Sequence, residues 1–144
     1  MAGLLNDYQR NSLTAVLRLH EHQLRQAQGW LQQPPASGIL YRPVLRLSAE
    51  QRQLALGHIA KALALVAQVA QDLALELVEE DLGAGMAADM VVSWANLLDV
   101  RSDKLRGYGA VDARLGLLLD PYVGRLAELA LELAGAIRAP GREL

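Results

Sequence analysis

Three short stretches that end helices divide this chain of 144 residues into four segments. Gln32–Gly38 reads QQPPASG, and its two prolines lack an amide donor and bias the preceding residue away from helical geometry. Glu79–Gly85 and Arg106–Gly109 each contain two glycines, which favour turns over helix. Any regular structure is therefore expected to lie between these breaks.

The residues between the breaks favour helix. Apolar residues make up 52% of the chain, many of them alanine and leucine, while phenylalanine is absent. Alanine and leucine are the strongest helix formers, and no run alternates β-branched and polar residues as a strand would. The chain is predicted to be all-α.

Apolar residues recur at spacings of three and four in each segment, which is the pattern of an amphipathic helix. Ser48 and Gln51 form a capping box that starts the second helix. Asp120 followed by Pro121 resembles an N-cap and first helical residue, so the fourth helix is expected to restart and kink there. The predicted helices cover about residues 4–32, 48–80, 85–105 and 112–138, with a tail at 139–144.

Four amphipathic helices predict an antiparallel up-and-down four-helix bundle in a single domain, residues 1–144. The first connection, 33–47, is unusually long. It carries apolar residues such as Ile39 and Leu40, so we expect it to pack across an open end of the bundle. A second hypothesis makes it a lid over a ligand site.

The stretch RLHEHQLRQ places His20 and His22 around Glu21. Residues two apart on a helix face opposite ways, so the two histidines cannot hold one metal ion. His20 falls within the apolar stripe and is expected to be buried, either as a hydrogen-bonded core side chain or as a ligand or proton-transfer group. His22 is expected at the surface and His58 on the flank of the second helix.

A second polar group falls on an inward stripe. Arg101 shares the apolar face of the third helix, where it is expected to pair with a nearby aspartate or to extend its guanidinium to solvent. Alternatively it anchors an anion together with Lys104, Arg106 and Tyr108 in the following turn. With His20, these residues form the predicted site for a small anionic ligand.

The sequence lacks the known combinations of residues that carry out catalysis or bind metal ions. It has no cysteine, no Glu-x-x-His, no serine–histidine–acid triad and no phosphate loop. Glu76 and Glu79 are similar in spacing to the magnesium-binding helices of bundle-type nucleotide pyrophosphatases, but a second acidic pair is absent. No cofactor is expected, and the chain is predicted to be non-enzymatic.

Charge and hydropathy limit the kinds of partner that the chain is expected to bind. The formal net charge of −2 supplies no basic field for nucleic acid. No signal-peptide pattern and no uninterrupted apolar run of about 18 residues are present, so no membrane contact and a cytoplasmic location are expected.

Leucines on an otherwise polar side of the second helix suggest a partner surface, because they are not expected to pack in the core. These residues are Leu54, Leu65 and Leu75. The leading prediction is therefore a helical-bundle protein that acts through protein–protein contacts, as a homodimer. The alternative is a bundle that binds an anionic ligand.

Overall fold

A computed structural model describes residues 3–139, and within that range the chain is helical with no strand. It divides into two compact units, Met1–Val78 and Glu79–Leu144, each described by itself. A short 3₁₀ turn follows the fourth helix at Arg106–Tyr108. The α-helices are α1 (Asp7–Gln32), α2 (Ala49–Asp72), α3 (Leu82–Leu98), α4 (Ser102–Leu105) and α5 (Ala113–Arg138).

Capping boxes start both helices of the first unit. The side chain of Ser48 accepts a hydrogen bond from the Gln51 amide, and the Gln51 side chain accepts one from the Ser48 amide, as the sequence predicts. Asn6 and Gln9 make the same reciprocal pair at the start of α1. Each box satisfies two amides that the first helical turn leaves without partners.

The second helix ends at Asp72, so the prediction that it reaches residue 80 is wrong. Ala74 adopts φ of 50°, which turns the chain out of the helix. The Leu75 amide then donates to the Ala70 carbonyl at 2.8 Å, and the Ala74 amide donates to the Gln71 carbonyl at 3.2 Å. This is a Schellman motif, with alanine at the position that glycine usually occupies.

An arginine of α1 stabilises the same end of α2. Arg10 Nη1 donates to the carbonyls of Leu73 and Ala74 at 3.0 and 2.9 Å. A cation here opposes the negative end of the α2 dipole and satisfies carbonyls that have no helical partner. Because Arg10 lies in the first turn of α1 and its acceptors follow the last turn of α2, the two helices run antiparallel.

We predict that Ala74→Gly stabilises the chain by about 0.5–1 kcal/mol. Left-handed geometry costs an L-residue about 1–2 kcal/mol, and the greater freedom of glycine in the unfolded chain offsets part of that gain. Ala67→Gly, at an exposed position inside α2, is the matched control and should cost about 1 kcal/mol. Urea unfolding measures both, and a loss of stability in Ala74→Gly would contradict the assignment.

The second unit is an antiparallel pair of helices, α3 and α5, packed through small residues. Gly83, at the start of α3, lies against Ile137 near the end of α5. Ser102, after the end of α3, lies against Gly116 near the start of α5. The contact faces consist mainly of buried alanines, which let two helices approach closely. These are Ala87 of α3 and Ala127, Ala130 and Ala134 of α5.

Two predicted boundaries in this unit are wrong. The third helix starts at Leu82, capped by the side chain of Asp81, so the glycines of the second predicted break lie inside it. It ends at Leu98, and residues 102–105 form the separate helix α4. Arg101 was predicted on the inward stripe on the assumption that the third helix continues to it. Because α3 ends at Leu98, that predicted position is wrong.

The fourth predicted helix does not restart at Asp120. Helix α5 runs from Ala113 to Arg138 with Pro121 inside it, and Asp112 is its N-cap. Asp120 has a different role: its carboxylate accepts hydrogen bonds from the amide and hydroxyl of Ser102, at 2.8 and 2.7 Å. This pair joins the start of α4 to α5. A bend at Pro121 stays a prediction.

The long connection does not form a packed cap. Ile39 is fully exposed and Leu40 is 95% exposed, so the expectation that these side chains pack across a bundle end is wrong. The all-α prediction is confirmed for the described residues, with five α-helices instead of four. The four-helix bundle and the single domain stay predictions. Most of the predicted tail, residues 140–144, lies outside the described residues.

Candidate functional site

Helix α5 carries a row of exposed large apolar side chains on a face distinct from its alanine face. We call this row the leucine stripe. Its members lie within about 80° of one another on an ideal helix, and each is between 42% and 67% exposed. The stripe consists of Leu118, Tyr122, Leu126, Leu129 and Leu133.

The spacing of apolar residues in the fourth segment predicts a core stripe of Tyr122, Leu126, Leu129, Ala130, Leu133 and Ile137. The structure corrects four of these positions. Tyr122, Leu126, Leu129 and Leu133 are exposed, whereas Ala127 and Ala130 are buried. Small residues recur on α5 at spacings of three and four. That recurrence is the signal that could have identified the face contacting α3.

Charged residues border the leucine stripe on one side. Arg125 Nη1 lies 3.1 Å from Glu128 Oε2 and 3.3 Å from Glu132 Oε1. Hydrogen bonds to these two carboxylates raise the pKa of the Arg125 guanidinium. These charged side chains pair with one another beside the stripe. The stripe itself contains no charged side chain.

The predicted interface leucines divide into two groups. Leu54 and Leu65 are exposed on one face of α2, at 59% and 66%, with exposed His58 and Lys61 nearby on the helix surface. Leu75 follows the helix, inside the Schellman motif, and is half-buried. Its predicted place on the same helix face is therefore wrong.

Helix α2 is also apolar along its length. By length and composition it could cross a membrane, with a mean hydropathy of 1.4 in its most apolar window and Ile59 as its one buried residue. Core helices of soluble proteins pass the same test of length and composition, so this is weak evidence. Polar residues such as Lys61 and Gln68 interrupt the apolar sequence of this helix, so it contains no uninterrupted apolar run of about 18 residues. The cytoplasmic location stays a prediction.

The predicted ligand residues are all exposed. His20 lies on the exposed surface of α1, so its predicted burial is wrong. Arg101 is exposed at the N-cap position of α4, and Lys104, Arg106 and Tyr108 are exposed in α4 and the 3₁₀ turn. The last four share one short stretch of the second unit, whereas His20 belongs to the first unit. Anion binding stays a prediction.

A cleft of about 420 Å³ lies in the first unit and is lined by none of these predicted residues. Its polar side includes Arg10, whose Nη1 is already bound to α2 carbonyls. It forms where α1 meets the segment after α2. The lining residues are Arg10, Asn11, Thr14, Ala74, Glu76, Leu77 and Val78.

Asp120 is the carboxylate that links α5 to the start of α4. Hydrogen bonds from the Ser102 hydroxyl and amide lower its pKa, and the positive charge of Arg101 adds a smaller effect in the same direction. The sequence predicts a partner for Arg101 among the nearby aspartates, Asp99 and Asp103. In the structure the charge of Arg101 also acts on Asp120, a carboxylate of α5.

We expect Asp120→Asn to weaken the dependence of the free energy of unfolding on pH in the acid range. The folded-state pKa of Asp120 lies below the ordinary value of about 3.9. Above that ordinary value, the ionised carboxylate therefore stabilises the fold. This contribution is lost as the pH falls through the folded-state pKa. Urea unfolding from pH 6 downward measures the effect. Asp103→Asn, at an exposed position in α4, is the control and should keep the wild-type slope; equal slopes in all three proteins would contradict the role of Asp120.

No group of three or more histidine, aspartate or glutamate side chains among residues 3–139 is placed to hold a metal ion. Glu76 and Glu79 lie beyond the end of α2, so they do not share a helix as the pyrophosphatase spacing requires. Comparison of the chain with protein-family models, curated proteins and solved structures finds no match.

Proposed function

We propose that this protein acts through protein–protein contacts and self-associates as a homodimer through the leucine stripe. The observation that carries the proposal is the exposure of five large apolar side chains on one uncharged face of α5. Two α3–α5 hairpins, one from each copy, would then form an intermolecular four-helix bundle. A two-fold dimer needs only one such surface, because the same patch is used by both copies.

The spacing of the stripe suits helix–helix packing. Tyr122, Leu126, Leu129 and Leu133 follow a 4-3-4 pattern, which is the seam of a helical bundle or coiled coil. Burying a leucine side chain contributes about 1.5–3 kcal/mol before the costs of association. The five stripe side chains are already partly buried, so each adds only part of that amount, and both copies contribute all five to a two-fold dimer. The face of α2 with Leu54 and Leu65 is a weaker candidate because Lys61 lies between them on the helix surface.

The bundle predicted within one chain is the rival explanation. In that arrangement the helices of the first unit would cover the leucine stripe, and the chain would remain a monomer. The two explanations require the same apolar face and differ in which chain covers it. A test must therefore detect contacts between copies.

Single-cysteine cross-linking provides that test, because the chain has no cysteine of its own. Each of the five stripe residues is replaced by cysteine in turn, and the variant is oxidised under mild conditions. A disulfide needs Cβ atoms about 3.5–4.5 Å apart, so cysteines near the two-fold axis should form covalent dimers quickly. The position of the fastest cross-link also locates the axis along α5.

Leu117→Cys and Leu131→Cys are matched controls. Both leucines are exposed on α5, at 83% and 43%, but they lie outside the stripe. They should remain monomeric under the same oxidation. Cross-linking that is equally fast at control and stripe positions, or absent from every stripe position, would overturn the proposal.

A further inference from the structure

The connection between α1 and α2 exposes two apolar side chains at the tip of a fixed turn. Ile39 and Leu40 are 100% and 95% exposed. The Gly38 amide donates to the Tyr41 carbonyl at 2.9 Å, which closes the turn around them. The Tyr41 ring folds over the backbone of Gly38, where a Cβ would lie 2.5 Å from the ring, so a larger residue there would displace the tyrosine side chain.

Prolines restrict the chain on both sides of this apolar tip. Pro34 and Pro35 precede the turn and Pro43 follows it, and the ring of each proline fixes its φ angle. These prolines limit the backbone conformations of the connection, in which Ile39 and Leu40 are exposed. Exposed apolar side chains on a restricted backbone favour a ligand surface over a loose linker.

Within the connection between α1 and α2, residues 33–48, the charged side chains have one sign. The sequence has no aspartate or glutamate between Glu21 and Glu50. Arg42 and Arg46 are exposed, and neither makes a hydrogen bond or ion pair with any residue that the structure describes. Two guanidinium groups without partners in the described residues, together with an apolar tip, are complementary to a surface with negative charges above an apolar layer.

Aromatic side chains complete this end of the first unit. Tyr41 is 68% exposed, and Trp30, in the last turn of α1, is 48% exposed. Because α1 and α2 run antiparallel, the end of α1 and the start of α2 lie at the end of the unit away from Arg10. Tryptophan and tyrosine are the residues that accumulate where a membrane meets water.

We propose that this end of the first unit binds the surface of an anionic lipid bilayer. Ile39 and Leu40 enter the boundary between headgroups and acyl chains, and Arg42 and Arg46 contact lipid phosphates. A protruding two-residue tip needs no complementary pocket in a bilayer, which favours lipid over a folded protein partner. The proposal does not depend on the leucine stripe, which lies in the other unit.

Vesicle co-sedimentation tests the proposal with the full chain. One set of vesicles contains phosphatidylcholine with about 30% phosphatidylserine, and the other contains phosphatidylcholine alone. The wild-type protein should bind the anionic vesicles more tightly, and added salt should weaken that binding. The double variant Ile39→Ser with Leu40→Ser should reduce the partition coefficient at least about 100-fold, because two apolar side chains no longer leave water.

Two further variants separate the contributions. Arg42→Gln with Arg46→Gln should remove the preference for anionic vesicles, at a cost of roughly 10-fold or more in binding. Leu77→Ser, at a fully exposed leucine outside the tip, should bind as the wild type does. Circular dichroism of each variant should match the wild type, since none of these side chains is buried.

Three results would overturn the proposal: no sedimentation with either vesicle, equal binding by wild type and the Ile39→Ser, Leu40→Ser variant, or equal loss in Leu77→Ser. Binding that survives loss of the tip but not of apolar residues in α2 would assign the membrane contact to that helix instead. The mass of the protein in solution, which tests the leucine stripe, should be the same in wild type and tip variants.

Discussion

Replacing Leu126 and Leu133 by glutamate should convert the protein from a dimer to a monomer. Both side chains lie in the leucine stripe and are about half exposed in the single chain. In the proposed dimer their replacement would bury four carboxylates without partners, and burying an unpaired charge costs several kcal/mol. The dissociation constant should therefore rise by at least about 1,000-fold.

The fold of each chain should survive this change. Glutamate is a good helix former, and neither position contacts α3 through the buried alanine face. Leu117→Glu with Leu131→Glu adds the same charge to α5 outside the stripe and should leave the dimer intact. Sedimentation velocity at several concentrations compares the three proteins, and a stripe variant that associates as tightly as the wild type would contradict the stripe's role.

Replacing Ala87 by leucine should have the largest effect on stability. Ala87 has no exposed surface, and it lies where α3 packs against α5 through small side chains. Extra methyl groups there force the two helices apart or drive side chains from their preferred rotamers, which costs about 1–3 kcal/mol or more. A pair of helices with so few buried residues has little stability in reserve, so we expect a loss of about 3 kcal/mol.

Ala88→Leu is the control for helix propensity. Ala88 is the next residue of α3 and is exposed, and leucine and alanine form helix almost equally well. Its free energy of unfolding should stay within about 0.5 kcal/mol of the wild type. Thermal and urea unfolding measure both variants. Equal losses in Ala87→Leu and Ala88→Leu would show that the alanine faces are not the contact between α3 and α5.

Helix content and the start of α2 could be predicted from the sequence, because they depend on local chemistry. Ser48 with Gln51 predicted a cap that the structure contains. The end of α2 could not be predicted in the same way. It depends on Ala74, a residue with no turn preference, and on Arg10, which reaches its carbonyls from a distant part of the chain.

The candidate site was missed because α5 has two apolar faces. Periodicity selects the face with the larger side chains, and here that face is the leucine stripe. Packing selected the alanine face, because close approach of two backbones requires small residues on both helices. The predicted burial of His20 was wrong although its stripe on α1 includes the buried Leu31. The predicted inward position of Arg101 was wrong because α3 ends at Leu98, before Arg101.

The most direct test of self-association is the mass of the unchanged protein by sedimentation equilibrium over a range of concentrations. The proposed dimer predicts a mass approaching twice the 15.6 kDa of one chain. It also predicts that the mass falls on dilution according to a single monomer–dimer equilibrium. The mass of a single chain at every concentration would contradict the dimer and leave the apolar face of α5 to be covered within one chain.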